Sequence, residues 1–282
     1  MFPGLTSLAD LPRGLPSVPR LGIATRGNTT LEADDVHYAF ERGVRYFNWC
    51  GKPDGLSRAV REFGDRRREI VFATQIKARN ADEAQRELDW ILKQTGGERL
   101  DVGTLYYVES EAEWGAITGP GGAWDGLAAR RQQGDLGLLG LTSHQRPLAA
   151  RWALQRSEDG ARRLDMLMVR YNAAHTGAEE DVFPVTSGID MPVVTFTGVR
   201  WRDLLRGTPD DPPGFEPPSA ADCYRFCMAH PAVTIALAAP HGRRELVEDL
   251  AALENPGIPD NGWMQAMRDH GRRVHRHARE FW

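Results

Sequence analysis

Eight short apolar runs, each followed by a longer stretch with helical spacing, recur along this chain of 282 residues, and that alternation limits its fold more than any other feature. The runs are Leu21 to Thr25, Arg45 to Trp49, Ile70 to Gln75, Val102 to Val108, Leu138 to Thr142, Met166 to Tyr171, Val193 to Thr197 and Thr234 to Ala238. Short, mostly apolar runs are what strands buried on both faces of a parallel sheet require. Between them, Ala84, Leu88, Ile91 and Leu92 fall at i, i+4, i+7 and i+8 and mark one apolar helix face. Ala33, Val36, His37 and Phe40 do the same earlier, and Leu246, Leu250 and Leu253 later. Repeated βα units imply an α/β protein with a parallel sheet. Eight units without a second composition regime predict one domain over 1–282, a single closed (β/α)8 TIM barrel, which typically needs ~250 residues. An open doubly wound sheet is disfavoured, because LGIATRGNTTL places Gly22 and Gly27 without the triplet glycine spacing of a dinucleotide fingerprint.

Two segments fall outside the alternation. GTPDDPPGFEPPS, Gly207 to Ser219, is too proline-rich for helix or strand and is expected to be a loop at the functional rim. NGWMQAMRDHGRRVHRHAREFW predicts an extra C-terminal helix with Trp263, Met267 and Val274 inward. Its arginines and histidines are either the wet face of a helix packed against the barrel, or a lid or basic patch at the mouth.

Composition narrows the function. With 41% hydrophobic and 26% charged residues the chain is globular, and a net charge of -4 provides no global positive field for nucleic acid or anionic lipid. No segment approaches the ~18 apolar residues of a membrane span, and the N-terminal residues do not read as a secretory signal. Three cysteines, Cys50, Cys223 and Cys227, are too few for a disulfide framework and fit a reducing, cytoplasmic setting. The expected partner is a small-molecule substrate, not nucleic acid and not a membrane.

A (β/α)8 barrel builds its site at the C-terminal ends of its strands, and those ends are polar and aromatic here. Lys77 lies two residues beyond Gln75 on the same side of its strand, so it is a candidate cation. Tyr106 is a candidate acid if Lys77 or Arg200 depresses its pKa from ~10, or else a packing aromatic. His144 and His175 end adjacent strands and Glu109 ends the fourth, a set suited to acid-base work or a metal. No HExxH or comparable spacing supports the metal, and none is expected. Cys50 lacks an identifiable base, and Cys223 with Cys227 at i and i+4 reads as core. Arg243 and Arg244 open the last barrel helix, where an N-terminus with guanidinium groups suits a phosphate.

Seven strings in order, GVRYFNWC, IVFATQIKAR, RLDVGTLYYVES, LGLTSHQ, VRYNAAHTGAEEDVFP, VVTFTGVRWRDLL and HPAVTIALAAPHGRRELVEDL, resemble strands two to eight of the aldo-keto reductases across nearly the whole chain. The resemblance implies a barrel binding NADP(H), in which a Tyr protonates the carbonyl oxygen as hydride arrives, with Lys, Asp and His in support. At those positions this chain has Asn48 for Asp, Pro53 for Tyr, Gln75 for Lys and Tyr106 for His. Among cofactor positions, the resemblance assigns Thr142 and Ser143 to the carboxamide and Phe196 to stacking on the nicotinamide, while Met168 replaces a Gln. Three functions follow as expectations: NADPH-dependent reduction of a small carbonyl compound with substituted acid-base residues; a lyase, isomerase or dehydratase on the same barrel; or a non-catalytic ligand- or partner-binding barrel.

Overall fold

A computed structural model describes residues 8–26, 29–254 and 259–277. Eight strands, β1 (Leu21–Ala24), β2 (Tyr46–Trp49), β3 (Val71–Ile76), β4 (Leu100–Leu105), β5 (Leu136–Ser143), β6 (Met166–Arg170), β7 (Val193–Phe196) and β8 (Ile235–Ala238), pair in parallel in sequence order. β8 pairs with β1 and closes the barrel. Helices α1 (Ala33–Glu41), α2 (Gly55–Glu62), α3 (Ala81–Thr95), α4 (Glu111–Thr118), α5 (Ala123–Gln133), α6 (Arg146–Ala153), α7 (Ala178–Asp181), α8 (Phe183–Gly188), α9 (Ala220–Ala229) and α10 (Arg243–Glu254) occupy the crossovers, and α11 (Asn261–His277) is the extra C-terminal helix. The fourth run was expected to reach Val108, but the strand ends at Leu105 and Tyr107 turns into the left-handed region at φ 41°. The fifth runs longer than expected, because Leu136 pairs with Leu100 ahead of the apolar run.

Strand alternation divides the core in two. Tyr46, Val71, Ala73, Val102, Leu138, Met166, Val194 and Ile235 point inward and pack inside the barrel. Gly22 makes room for them, since a Cβ there would lie 2.9 Å from both Tyr46 and Leu237. A short antiparallel ribbon, Leu8–Ala9 with Val18–Pro19, brings Leu11 and Val18 into the same cluster. The opposite face of each strand meets the helices. Phe40 of α1 and Phe47 of β2 both pack on Phe63, with centroids 4.9 and 6.2 Å away, and each fully buried ring contributes roughly 2–3 kcal/mol. His37, placed on that apolar face by spacing, instead sits at its edge and bonds Glu62 at 2.8 Å.

The proline-rich segment is a loop, as expected, and α11 is its scaffold. Arg273 and Arg276 pair with Asp211 and Asp210 at 2.5 and 2.8 Å, while His270 Nε2 donates to the Leu204 carbonyl at 2.9 Å. Gly271 lets α11 cross the chain just beyond β6, since any Cβ there would collide with the Ala173 carbonyl. Neither this loop nor α11 lines the cavity at the barrel mouth, so the alternative of a lid or a basic patch at the mouth gives way to a helix packed on the flank.

Candidate active site

The parity that fills the barrel with apolar side chains sends the next inward residue of each strand to its C-terminal end. Asn48, Gln75, Thr142, Met168 and Phe196 therefore meet at the mouth, where they line a cavity of about 630 Å³. Lys77, Tyr106, Tyr107 and His144 continue the same wall. Asn48 Oδ1 and Thr142 Oγ1 are buried there without a hydrogen-bond partner. A buried polar atom left unpaired costs about 1–3 kcal/mol, so both are suited to a ligand that completes their bonding.

The most ordered group is built on Glu109. Its carboxylate accepts the backbone N–H of His144 at 2.9 Å and lies 3.4 Å from His144 Nδ1. A carboxylate only accepts, so Nδ1 carries the proton and Nε2 is left as acceptor on a ring that lines the cavity. Tyr107 and Phe196 clamp this ring at 4.4 and 5.7 Å between centroids. Burial, then the charge of Arg170, lowers the His144 pKa against the opposing pull of Glu109, so the imidazole is neutral at pH 7. Such a pair can accept a proton and return it.

Lys77 Nζ lies 5.8 Å from the Tyr106 ring centroid, and Tyr106 stacks on Tyr107 at 4.1 Å. Arg200, the other cation considered for Tyr106, is engaged with Asp203 at 2.8 Å. His175 lies outside the cavity, with Nδ1 3.3 Å from Asn172 Oδ1 and its ring edge-on to His275. Burial, with Arg200 and Arg170 nearby, pushes its pKa down to about 3. Glu179, four residues on, accepts from the Tyr171 hydroxyl at 2.6 Å and pairs with Arg268. Among the described residues, no three His, Cys, Asp or Glu side chains converge as a metal site.

The remaining positions separate. Ser143 alternates away from Thr142, is fully buried outside the cavity, and its Oγ accepts from Gln145 N at 2.9 Å. Arg243 is held by Asp35 at 2.6 Å and by the Asp34 carbonyl, with its guanidinium over Tyr38, and neither it nor Arg244 lines the cavity. The cavity wall formed by α10 is acidic instead, with Glu245, Glu248 and Asp249. Burial, followed by Glu245 and Glu248, raises the Asp249 pKa to about 8. Pro53 lies outside the cavity, although its neighbour Lys52 lines it. Cys50 lines the mouth with its thiol pKa raised by burial, and Cys223 and Cys227 are core residues.

Sequence reasoning missed Arg170, the acidic face of α10 and the loop after β7. In that loop Thr197, Arg200, Trp201 and Arg202 all take positive φ, between 48° and 75°, a run that costs of order 1–3 kcal/mol per residue and concentrates at functional sites. Arg170 shares the parity of Met168, and a charged residue at that strand end was the available signal.

No family model matches the sequence, and no curated protein matches it. Solved structures do. The chain is similar to the aldo-keto reductase AKR11C1 from Bacillus halodurans in its holo form, with a TM-score of 0.74 at 15% identity over 94% of this chain and 96% of that one. It is also similar to an aldo/keto reductase from Klebsiella pneumoniae in complex with NADP and acetate, with a TM-score of 0.72 at 16% identity over 91% and 92% of the two chains. The fold is therefore that of the aldo-keto reductases over nearly the whole chain.

Proposed function

We propose that the mouth cavity binds a nicotinamide dinucleotide and that this chain is an NAD(P)H-dependent oxidoreductase, acting in the cytoplasm on a small carbonyl compound or its alcohol. The observation that carries it is the convergence of Phe196, the two unpaired polar atoms of Asn48 and Thr142, and the Glu109–His144 pair on one cavity. A fold shared with a reductase solved with NADP supports the choice of cofactor.

The residues fit the nicotinamide end of such a cofactor. Phe196 offers an aromatic face, and Thr142 Oγ1 and Asn48 Oδ1 offer bonds to an amide. At α10 the fit is to a neutral group, since the carboxylates of Glu245 and Glu248 face the cavity and Arg243 is turned onto Asp35. A 2′-phosphate has no free guanidinium there, so NADH is expected to bind at least as well as NADPH.

When bound, the dinucleotide supplies or accepts the hydride. The chain supplies the proton: His144 Nε2 takes it from an alcohol, or returns it to a carbonyl oxygen, while Glu109 steadies the charge that forms on the ring. Tyr106, beneath the charge of Lys77, is the second hydroxyl donor at the mouth. Tyr107 and Phe196 hold the imidazole in place, which spares the reaction the cost of orienting it.

Titration with NADH and NADPH tests the cofactor, and no binding of either at high micromolar concentration would sink the proposal. A second reading is a lyase, isomerase or dehydratase that uses His144 as base without a cofactor. It is favoured by the neutral state of His144 together with the replacement of all four family side chains. Turnover without nucleotide, lost in His144→Gln, would select it. The mouth is open to a ligand-sized volume, which gives the non-catalytic barrel no particular support.

A further inference from the structure

Beside the cavity, at the end of β6, Arg170 presents a guanidinium group whose Nε and Nη2 are buried without any hydrogen-bond partner. Its neighbours are neutralised: Arg146 by Asp181 at 3.1 Å and Arg200 by Asp203 at 2.8 Å. Arg200 is 3% exposed, and its Nε is likewise unpartnered. Arg170 has no contacting carboxylate among the described residues, because Glu109, the acid within its field, is engaged by His144. The Trp201 ring lies 5.3 Å from the Arg170 guanidinium, on the strained loop, and Trp201, Tyr107 and His144 connect this site to the cavity.

Partly desolvated cations set side by side destabilise a fold unless an anion joins them. The effect reaches His175, whose pKa is pushed down to about 3 by burial and then by Arg200 and Arg170. An arginine with free Nε and Nη2 presents the two parallel N–H groups that a carboxylate or phosphate takes in bidentate fashion.

We propose that Arg170, assisted by Arg200, is the binding site for an oxyanion carried by the substrate, a carboxylate or a phosphate monoester. The site thus takes an anionic substrate whose reacting carbon extends toward His144. This names the substrate class of the cavity assigned above, but its test requires no turnover.

Thermal melts of the full chain are recorded with inorganic phosphate and, separately, with succinate, at constant ionic strength. Whichever anion matches the substrate raises Tm by about 3 °C at ten times its Kd. Phosphate alone identifies a phosphate ester, and succinate alone a carboxylate. Arg170→Leu is expected to melt higher than the unmodified protein without anion and to lose the anion response, while Arg170→Lys keeps only a weakened response. No response to either anion, or an undiminished response in Arg170→Leu, overturns the proposal. Should Arg170→Leu fail to fold, NMR of the unmodified protein decides: the His175 ring must titrate at higher pH once the anion is bound, and an unmoved titration overturns the assignment. A third arm adds saturating NADH or NADPH. An anion response that persists on top of the nucleotide supports a substrate site, and one abolished by nucleotide overturns it in favour of the dinucleotide's own phosphates. If neither nucleotide shifts Tm, the oxidoreductase reading fails while the anion response stands by itself.

Discussion

Glu109 holds His144 twice, accepting its backbone N–H at 2.9 Å and facing its Nδ1 at 3.4 Å. One carboxylate therefore fixes the end of β5, the rotation of the imidazole and its tautomer. The rate should depend on both residues in different ways. His144→Gln is expected to lower kcat/KM by about 10²–10⁴. Because the His144 pKa is lowered, the rate of alcohol oxidation should stay flat on acidification to below the ordinary histidine range and then fall as the ring protonates. Glu109→Gln removes an influence that raises that pKa, so the acid limb should move to still lower pH while kcat drops. A pH–rate profile that leaves the limb in place would remove Glu109 from this role.

Thr142→Val removes a buried hydroxyl that has no partner in the unliganded protein. Stability without ligand should rise, by up to about 1–2 kcal/mol, since an uncompensated polar group is gone. Dinucleotide affinity should fall roughly tenfold, the size of one hydrogen bond. Urea melts and a fluorescence titration of the same sample check the two opposite signs.

The acidic wall of α10 predicts cofactor choice. Glu248→Lys replaces an exposed cavity carboxylate with an ammonium group and should raise the preference for NADPH over NADH by about fivefold, an effect that fades with added salt. Unchanged relative affinities would place the 2′-phosphate elsewhere.

Asp249 has a folded pKa raised to about 8, well above its value in an unfolded chain. Between about pH 4 and 8 the folded state therefore holds a proton that the unfolded state has lost. The stabilisation is complete below the unfolded pKa and is lost as pH rises through the folded one. Asp249→Asn should flatten the decline in Tm across that window and melt higher than the unmodified protein at pH 8. Parallel curves for the two proteins would contradict the raised pKa.

Much of the fold was legible because strand alternation is a local property. Once Gln75, Thr142 and Met168 belong to strands of a closed barrel, period two puts them on the inside, and the order of the runs dictates their order around the mouth. That logic also placed Tyr106, Lys77, Phe196 and His144 together. It failed where a single step of parity or a partner far along the chain decides. Thr142 and Ser143 are adjacent and looked equivalent, yet alternation sends one to the cavity and the other to the helix layer. Arg243 looked poised for a phosphate until Asp35, 208 residues away in sequence, took its guanidinium.

By itself, the sequence determined the eight βα units, the polar mouth and the replacement of all four family side chains, since each is written in residue type and spacing. Only the tertiary structure decided which of those polar groups are satisfied. It paired His144 with Glu109, turned the proline-rich loop and α11 onto each other, and left Arg170, Asn48 and Thr142 with unpaired buried atoms. Hydrogen-bond satisfaction depends on partners distant along the chain and on burial from water, and neither is a property of any local stretch of sequence.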